Sequence, residues 1–101
     1  MWILQGALPP DFGAGAGSFS FRLAPGAVKT VGRAPRADFI LDVALVSRLH
    51  CRLSADEESL EVVDLSSTNG TFVNDKRIER AILGNGDRLR VGRVELTIGR
   101  A

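Results

Sequence analysis

The chain has 101 residues, one domain's worth and enough for a single packed core, and its 45% hydrophobic and 25% charged residues are a folded composition, not a disordered one. Thirteen Lys and Arg against twelve Asp and Glu leave a net charge of +1, which argues against a chain that holds nucleic acid or a membrane surface through bulk positive charge. One cysteine, Cys51, excludes an internal disulfide and completes no zinc-ligand spacing, so no metal is expected and a reducing, intracellular setting, cytoplasmic or nuclear, fits.

The opening "MWILQGALPP" is apolar, but it lacks a basic flank and is too short for a signal peptide or a membrane span. From there the apolar residues alternate or fall in short runs between turn signals. Strands are expected at 2–8, 18–23, 28–31, 39–41, 51–53, 60–64, 71–73, 78–82, 88–91 and 94–98. "FSFRL" and "RVELTI" carry the period of two that a half-buried strand requires. The turns between strands are marked by "PP", "PG", "NG", "ND" and "NGD". Residues 42–53, "DVALVSRLHCRL", come nearest to a helical period but read as a loop feeding a strand. Many short strands at regular spacing predict an all-β, two-sheet sandwich, and the absence of a repeat or linker predicts one domain over 1–101.

Several constellations invite chemistry. "GAGAGS" at 13–18 has the glycines of a phosphate loop, but no lysine-serine pair and no following helix, so it reads as a flexible hairpin connection. Ser47 and His50 have a spacing at which a hydroxyl and a base can meet, yet no nucleophile motif surrounds them and no catalytic residue is expected. The acidic run at 56–58 reads as a solvated hairpin loop. Arg88, Arg90, Arg93 and Arg100 are spread along two strands and read as a solvated face, not a nucleic-acid surface.

The stretch "LSSTNGTFVN", residues 65–74, is different. Asn-Gly is a strong hairpin-turn signal, because both residues accept positive φ, but a turn does not account for the hydroxyls of Ser66, Ser67, Thr68 and Thr71 around it. A sandwich gathers loops from distant segments at one end. If those around 33, 47 and 68 meet, they bring together the guanidinia of Arg33 and Arg48, the hydroxyls of Ser47 and Thr68, and the amide of Asn69. Planar, permanently charged donors with short hydroxyl donors suit a tetrahedral dianion better than a carboxylate, which would leave several donors unused.

"GR", "SRLH", "DLSSTNGTFVN" and "LGNGDRLRVG", in this order over about residues 31–98, resemble the forkhead-associated (FHA) domain. The resemblance implies a sandwich of about eleven strands with binding loops at one end, and a module that reads phosphothreonine in an extended peptide of a partner protein, without a cofactor. It implies that Arg33, Ser47, Arg48 and Thr68 reach the phosphate and that Asn69 grips the peptide backbone. His50 would pin the loops, Gly32 and Gly70 would supply backbone geometry, and Asn74 would buttress the loop and touch the peptide. The hydroxyls around Asn69-Gly70 would form one wall of the pocket. Leu45 and Val46, just before the serine, would select an apolar residue three places after the phosphothreonine. Such modules usually serve a larger protein or complex. The alternative on the same scaffold is a phospho-independent interaction or dimerisation module.

Overall fold

A computed structural model describes residues 1–7 and 17–101; most of "GAGAGS" lies outside the described residues. Among these residues there are eleven strands and no helix: β1 (Trp2–Ala7), β2 (Ser18–Leu23), β3 (Val28–Gly32), β4 (Phe39–Ile40), β5 (Cys51–Ala55), β6 (Leu60–Asp64), β7 (Thr71–Val73), β8 (Lys76–Ile78), β9 (Arg80–Leu83), β10 (Arg88–Val91) and β11 (Val94–Arg100). They form a six-stranded sheet, β2-β1-β11-β10-β7-β8, and a five-stranded sheet, β4-β3-β5-β6-β9. The all-β sandwich anticipated from alternation is the fold observed.

Alternation explains which face each strand buries. Along β11, Val94, Leu96 and Ile98 point inward while Glu95 and Thr97 stay exposed. The register sets Leu96 opposite Leu89 of β10, and Leu4 of β1 opposite Ile98. From the facing sheet come Val31, Leu53, Leu60, Val62 and Leu83, so the two inner faces close one dry core. Removing such side chains from water supplies roughly 1.5–3 kcal/mol each. Phe21 of β2 stacks on Phe39 of β4 with centroids 4.3 Å apart, sealing the margin where the first strands of the two sheets meet.

One expected strand is really two. Residues 78–82 do not run continuously: β8 belongs to the six-stranded sheet and β9 to the other, with the break at Glu79. Ile78 packs on the core from one side, Ala81 and Leu83 from the other. The inward pattern therefore slips by one residue as the chain crosses between layers, and the Glu79 carbonyl accepts the Asp64 amide at 2.8 Å at the crossing.

"NG" at 69–70 is not a hairpin either. It lies on the connection from β6 to β7, which are in different sheets, and only Gly70 has positive φ (91°). A tight hairpin falls instead at "ND": Asn74 (φ 50°) and Asp75 (φ 68°) join the antiparallel pair β7 and β8, in the left-handed conformations that Asn and Asp tolerate.

The strand directions sort the loops. Segments 33–38, 41–50, 65–70 and the β10–β11 turn at Gly92 lie at one end, with Gly92 against the Leu45 carbonyl. The turns after β2, β5, β7 and β9 lie at the other. The Ala101 amide donates to the Met1 carbonyl at 2.9 Å, so the first and last residues are neighbours at that second end.

Candidate functional site

Arg33 follows directly from β3. Its amide donates to the Ser47 carbonyl at 2.9 Å and the Ala34 amide to the Arg48 carbonyl at 3.0 Å, so the two loops are zipped backbone to backbone. This approach is possible because residue 32 is glycine: a Cβ there would lie 2.1 Å from the Arg48 carbonyl oxygen. The loop after Arg33 is tied down by Asp38, which accepts from the Thr30 amide at 2.9 Å and the Thr30 hydroxyl at 3.1 Å. Those bonds, the backbone one first, hold the Asp38 carboxyl below its ordinary range.

His50 joins the second loop to the third. It is fully buried. Its Nδ1 accepts the Ser47 amide at 3.0 Å and its Nε2 lies 2.8 Å from the Gly70 carbonyl, so the ring proton sits on Nε2 and is donated to Gly70. Ser47 Oγ accepts the Thr68 amide at 3.0 Å, and Asn69 Nδ2 donates to the Leu45 carbonyl at 3.1 Å. Leu45 holds φ of 74°, a strained conformation for a leucine, and that conformation presents its carbonyl to Asn69.

Arg33, Ser47, Thr68 and Asn69, together with Ala44, Leu45 and Val46, line one open cavity of about 320 Å³. Arg33, Thr68 and Asn69 are exposed and Ser47 is half-buried. Of the two selectivity candidates, Leu45 is half exposed whereas Val46 is 3% exposed and belongs to the core. Arg48 lines a different hollow, with Ala34, Pro35, Arg36 and Leu49, on the other side of the zipped backbones. Asn74 stands at the end of β7 away from Gly70. Its side chain donates to Asp87 at 3.1 Å and accepts the Arg88 amide at 2.9 Å, so it braces the β9–β10 turn and not the loop at 65–70, and it does not line the cavity.

The hydroxyls around Asn69-Gly70 do not form a single wall. Ser67 and Thr71 are buried and turn inward to Asp64, whose Oδ1 accepts their hydroxyls at 2.5 and 2.7 Å. The Ser67 amide donates to the second carboxylate oxygen at 3.1 Å, and Ser67 Oγ accepts the Gly70 amide at 3.0 Å. Burial raises the Asp64 carboxyl, but the bonds from Ser67 and Thr71 outweigh it and bring the group below its ordinary value. Only Thr68 of these hydroxyls lines the cavity. Asp64, which organises this loop from inside, is the residue that reading the motifs missed. The available signal was "DLSS", an aspartate three residues before a serine, a spacing at which the carboxylate can accept the nearby amide and hydroxyl.

The pairing a hydrolase requires is not formed. Both His50 nitrogens are engaged with backbone, and Ser47 Oγ faces the Thr68 amide. Burial, then Asp64, pushes the Cys51 thiol up to about 12, which keeps it protonated and unreactive. The arginines of the last two strands are dispersed: Arg88 pairs with Asp75 at 3.2 Å, Arg90 lies over Phe72, and Arg100 lies over Trp2 and bonds the Glu57 carbonyl. Among the described residues no group of three metal-ligating side chains occurs, and no helix is long and apolar enough to cross a membrane.

Comparison with known proteins identifies the family. The glycogen accumulation regulator GarA of Mycobacterium tuberculosis is 39% identical over 70 residues, covering 69% of this chain and 43% of that protein. The chain therefore spans less than half the length of that curated relative. The FhaA FHA domain, solved in complex with the intracellular domain of Rv3910, superposes with a TM-score of 0.79 at 33% identity, over 97% of this chain and 99% of that one. A further solved structure, from work on phosphothreonine-dependent FHA domain interactions, gives 0.80 at 30% identity, over 100% and 98% of the two chains. The FHA domain family model matches residues 29–92, the segment that holds the three loops lining the cavity, and the chain belongs to the FHA domain family.

Proposed function

We propose that this domain is a phosphopeptide reader that binds phosphothreonine in an extended segment of a partner protein, and that it works as a binding module, not as an enzyme. The carrying observation is the cavity shared by Arg33, Ser47, Thr68 and Asn69, residues drawn from three loops and held by a common set of hydrogen bonds. Arg33 offers a fixed-charge fork and forms no ion pair among the described residues, so its donors remain for a ligand. The Ser47 and Thr68 hydroxyls sit across the same cavity as neutral donors. Arg48, which the resemblance would also bring to the phosphate, lines the neighbouring hollow and is not counted among the phosphate donors here. Asn69 spends one amide proton on Leu45 and keeps its carbonyl for a peptide N–H.

The similar structure from work on phosphothreonine-dependent FHA interactions supports this reading, and the regulator GarA supports a regulatory role exercised through binding. Within the cavity wall Leu45 is the candidate for reading the third residue after the phosphothreonine. Val46 supports that wall from the core. Each charge-assisted hydrogen bond to phosphate contributes about 1.5–3 kcal/mol, so three or four of them, less the cost of ordering the peptide, fit a Kd on the order of micromolar.

The test is a fluorescence-anisotropy titration of one peptide pool in phosphothreonine, phosphoserine and unmodified forms. Saturable binding of the phosphothreonine pool alone is the expected result, and Arg33→Ala removes most of it while leaving the fold intact. Equal binding of all three pools selects the phospho-independent interaction module in its place.

A further inference from the structure

The cavity at Arg33 is not the sole cationic concavity at this end. A second hollow, of about 550 Å³, is lined by Ala34, Pro35, Arg36, Arg48 and Leu49. Three of its lining residues are apolar and two are arginines. Both arginines are exposed, and neither forms an ion pair among the described residues.

The two concavities share a wall. Arg33 and Ser47 line the first, Ala34 and Arg48 the second, and the backbone bonds Arg33 to Ser47 and Ala34 to Arg48 run along the divide. With Gly32 pressed against the Arg48 carbonyl, that divide is fixed, and so is the spacing of the hollows. The loop bearing Arg36 is fixed as well: the Ala37 amide closes a turn onto the Ala34 carbonyl at 3.0 Å, and Asp38 is bound to Thr30. Two arginines on one hollow whose lining includes no carboxylate carry an electrostatic cost, which an anionic ligand relieves.

We infer that the Arg36–Arg48 hollow is a second acidic subsite, taking a carboxylate or a second phosphate carried by the same peptide that places its phosphothreonine in the Arg33 cavity. This rests on the phosphothreonine reading, and it narrows the ligand class to a phosphothreonine flanked, at a fixed spacing, by another anionic side chain. Arg36 is the discriminating residue, because it lines the second hollow and not the first.

The experiment uses an oriented peptide library with one fixed phosphothreonine. Each flanking position is set in turn to alanine, aspartate or phosphoserine, and binding is measured to the unaltered domain, to Arg36→Ala and to Arg36→Lys. At one position an acidic group should tighten binding roughly tenfold, the yield of one charge-assisted bond at a partly exposed site. In Arg36→Ala that gain should vanish while the alanine-flanked parent binds as before, and Arg36→Lys should restore part of it. A gain with aspartate assigns a carboxylate ligand; a gain confined to phosphoserine assigns a second phosphate. A flat acidic scan against a parent that binds normally, or a gain that persists in Arg36→Ala, overturns the subsite alone. A parent that does not bind overturns the phosphothreonine reading itself.

Discussion

Ser47 Oγ accepts the amide proton of Thr68 at 3.0 Å, joining two loops that are 21 residues apart in the chain. One hydroxyl thereby serves as a tether and as a lining group of the cavity, and the two roles separate by substitution. Ser47→Ala leaves the Thr68 amide, which is near solvent, without its partner, at about 0.5–1.5 kcal/mol of stability. Phosphopeptide affinity should fall by at least about tenfold, or about 1.4 kcal/mol, because a donor is lost and Thr68 is released. Thermal unfolding and anisotropy on the same protein check the two numbers.

His50→Ala should act on stability first. The ring satisfies the Ser47 amide and the Gly70 carbonyl in a fully buried setting, and truncation orphans both and leaves a void. Two unsatisfied groups at about 1–3 kcal/mol each, plus the void, predict a loss of roughly 3–5 kcal/mol, read as a lower urea midpoint.

Gly32→Ala should force the zipped loops apart, since the new Cβ would meet a backbone carbonyl and not a movable side chain. Overpacking predicts about 1–3 kcal/mol of destabilisation or more, together with weakened binding. An alanine variant with unchanged stability and affinity would contradict the close approach of residues 32 and 48.

These residues also show what the sequence made legible. Strands such as "FSFRL" and "RVELTI" announce themselves because alternation is a local property of a half-buried ribbon. The gathering of Arg33, Ser47, Thr68 and Asn69 was legible only as ordered motifs, since nothing within any one of them specifies the other loops. Three features escaped for the same reason. The crossing at Glu79, the inward turn of Ser67 and Thr71, and the placement of Arg48 in its own hollow all depend on which layer or loop lies alongside. The phase slip between Ile78 and Ala81 was a visible trace of the first.

Asp64 makes the acid limb of stability predictable. Its carboxyl is held below the unfolded value, near 3.9, by the Ser67 and Thr71 bonds that outweigh its burial. A depressed folded-state pKa contributes stability that is fully present above about pH 4 and is lost as pH falls through the lower folded value. Asp38 and Asp56, held down chiefly by backbone bonds from Thr30 and from Ser59, shift in the same direction. Asp64→Asn should therefore be destabilised at neutral pH, and its deficit relative to the unaltered domain should shrink below about pH 4 in chemical denaturation.

Peptide binding should respond to a different proton. The second ionisation of a phosphate ester lies near pH 6, so affinity should decline as pH drops from 7 to 5, well above the acid limb of the fold. Titrations across that interval, with circular dichroism showing the domain intact, separate the ligand's proton from the protein's. Constant affinity over the interval would mean that the dianion is not what the loops hold.

The bond between Ala101 and Met1 has a practical consequence for geometry. From Val94, beside the Gly92 turn, β11 carries the chain about 20 Å away before it reaches the paired extremities. Anything tethered there, whether a neighbouring module, a surface or a fluorophore, hangs from the rear of the sandwich and leaves the end bearing the Arg33 cavity unobstructed. A short bridge closing residue 101 onto residue 1 should likewise be tolerated, giving a cyclic scaffold whose working loops never meet the splice.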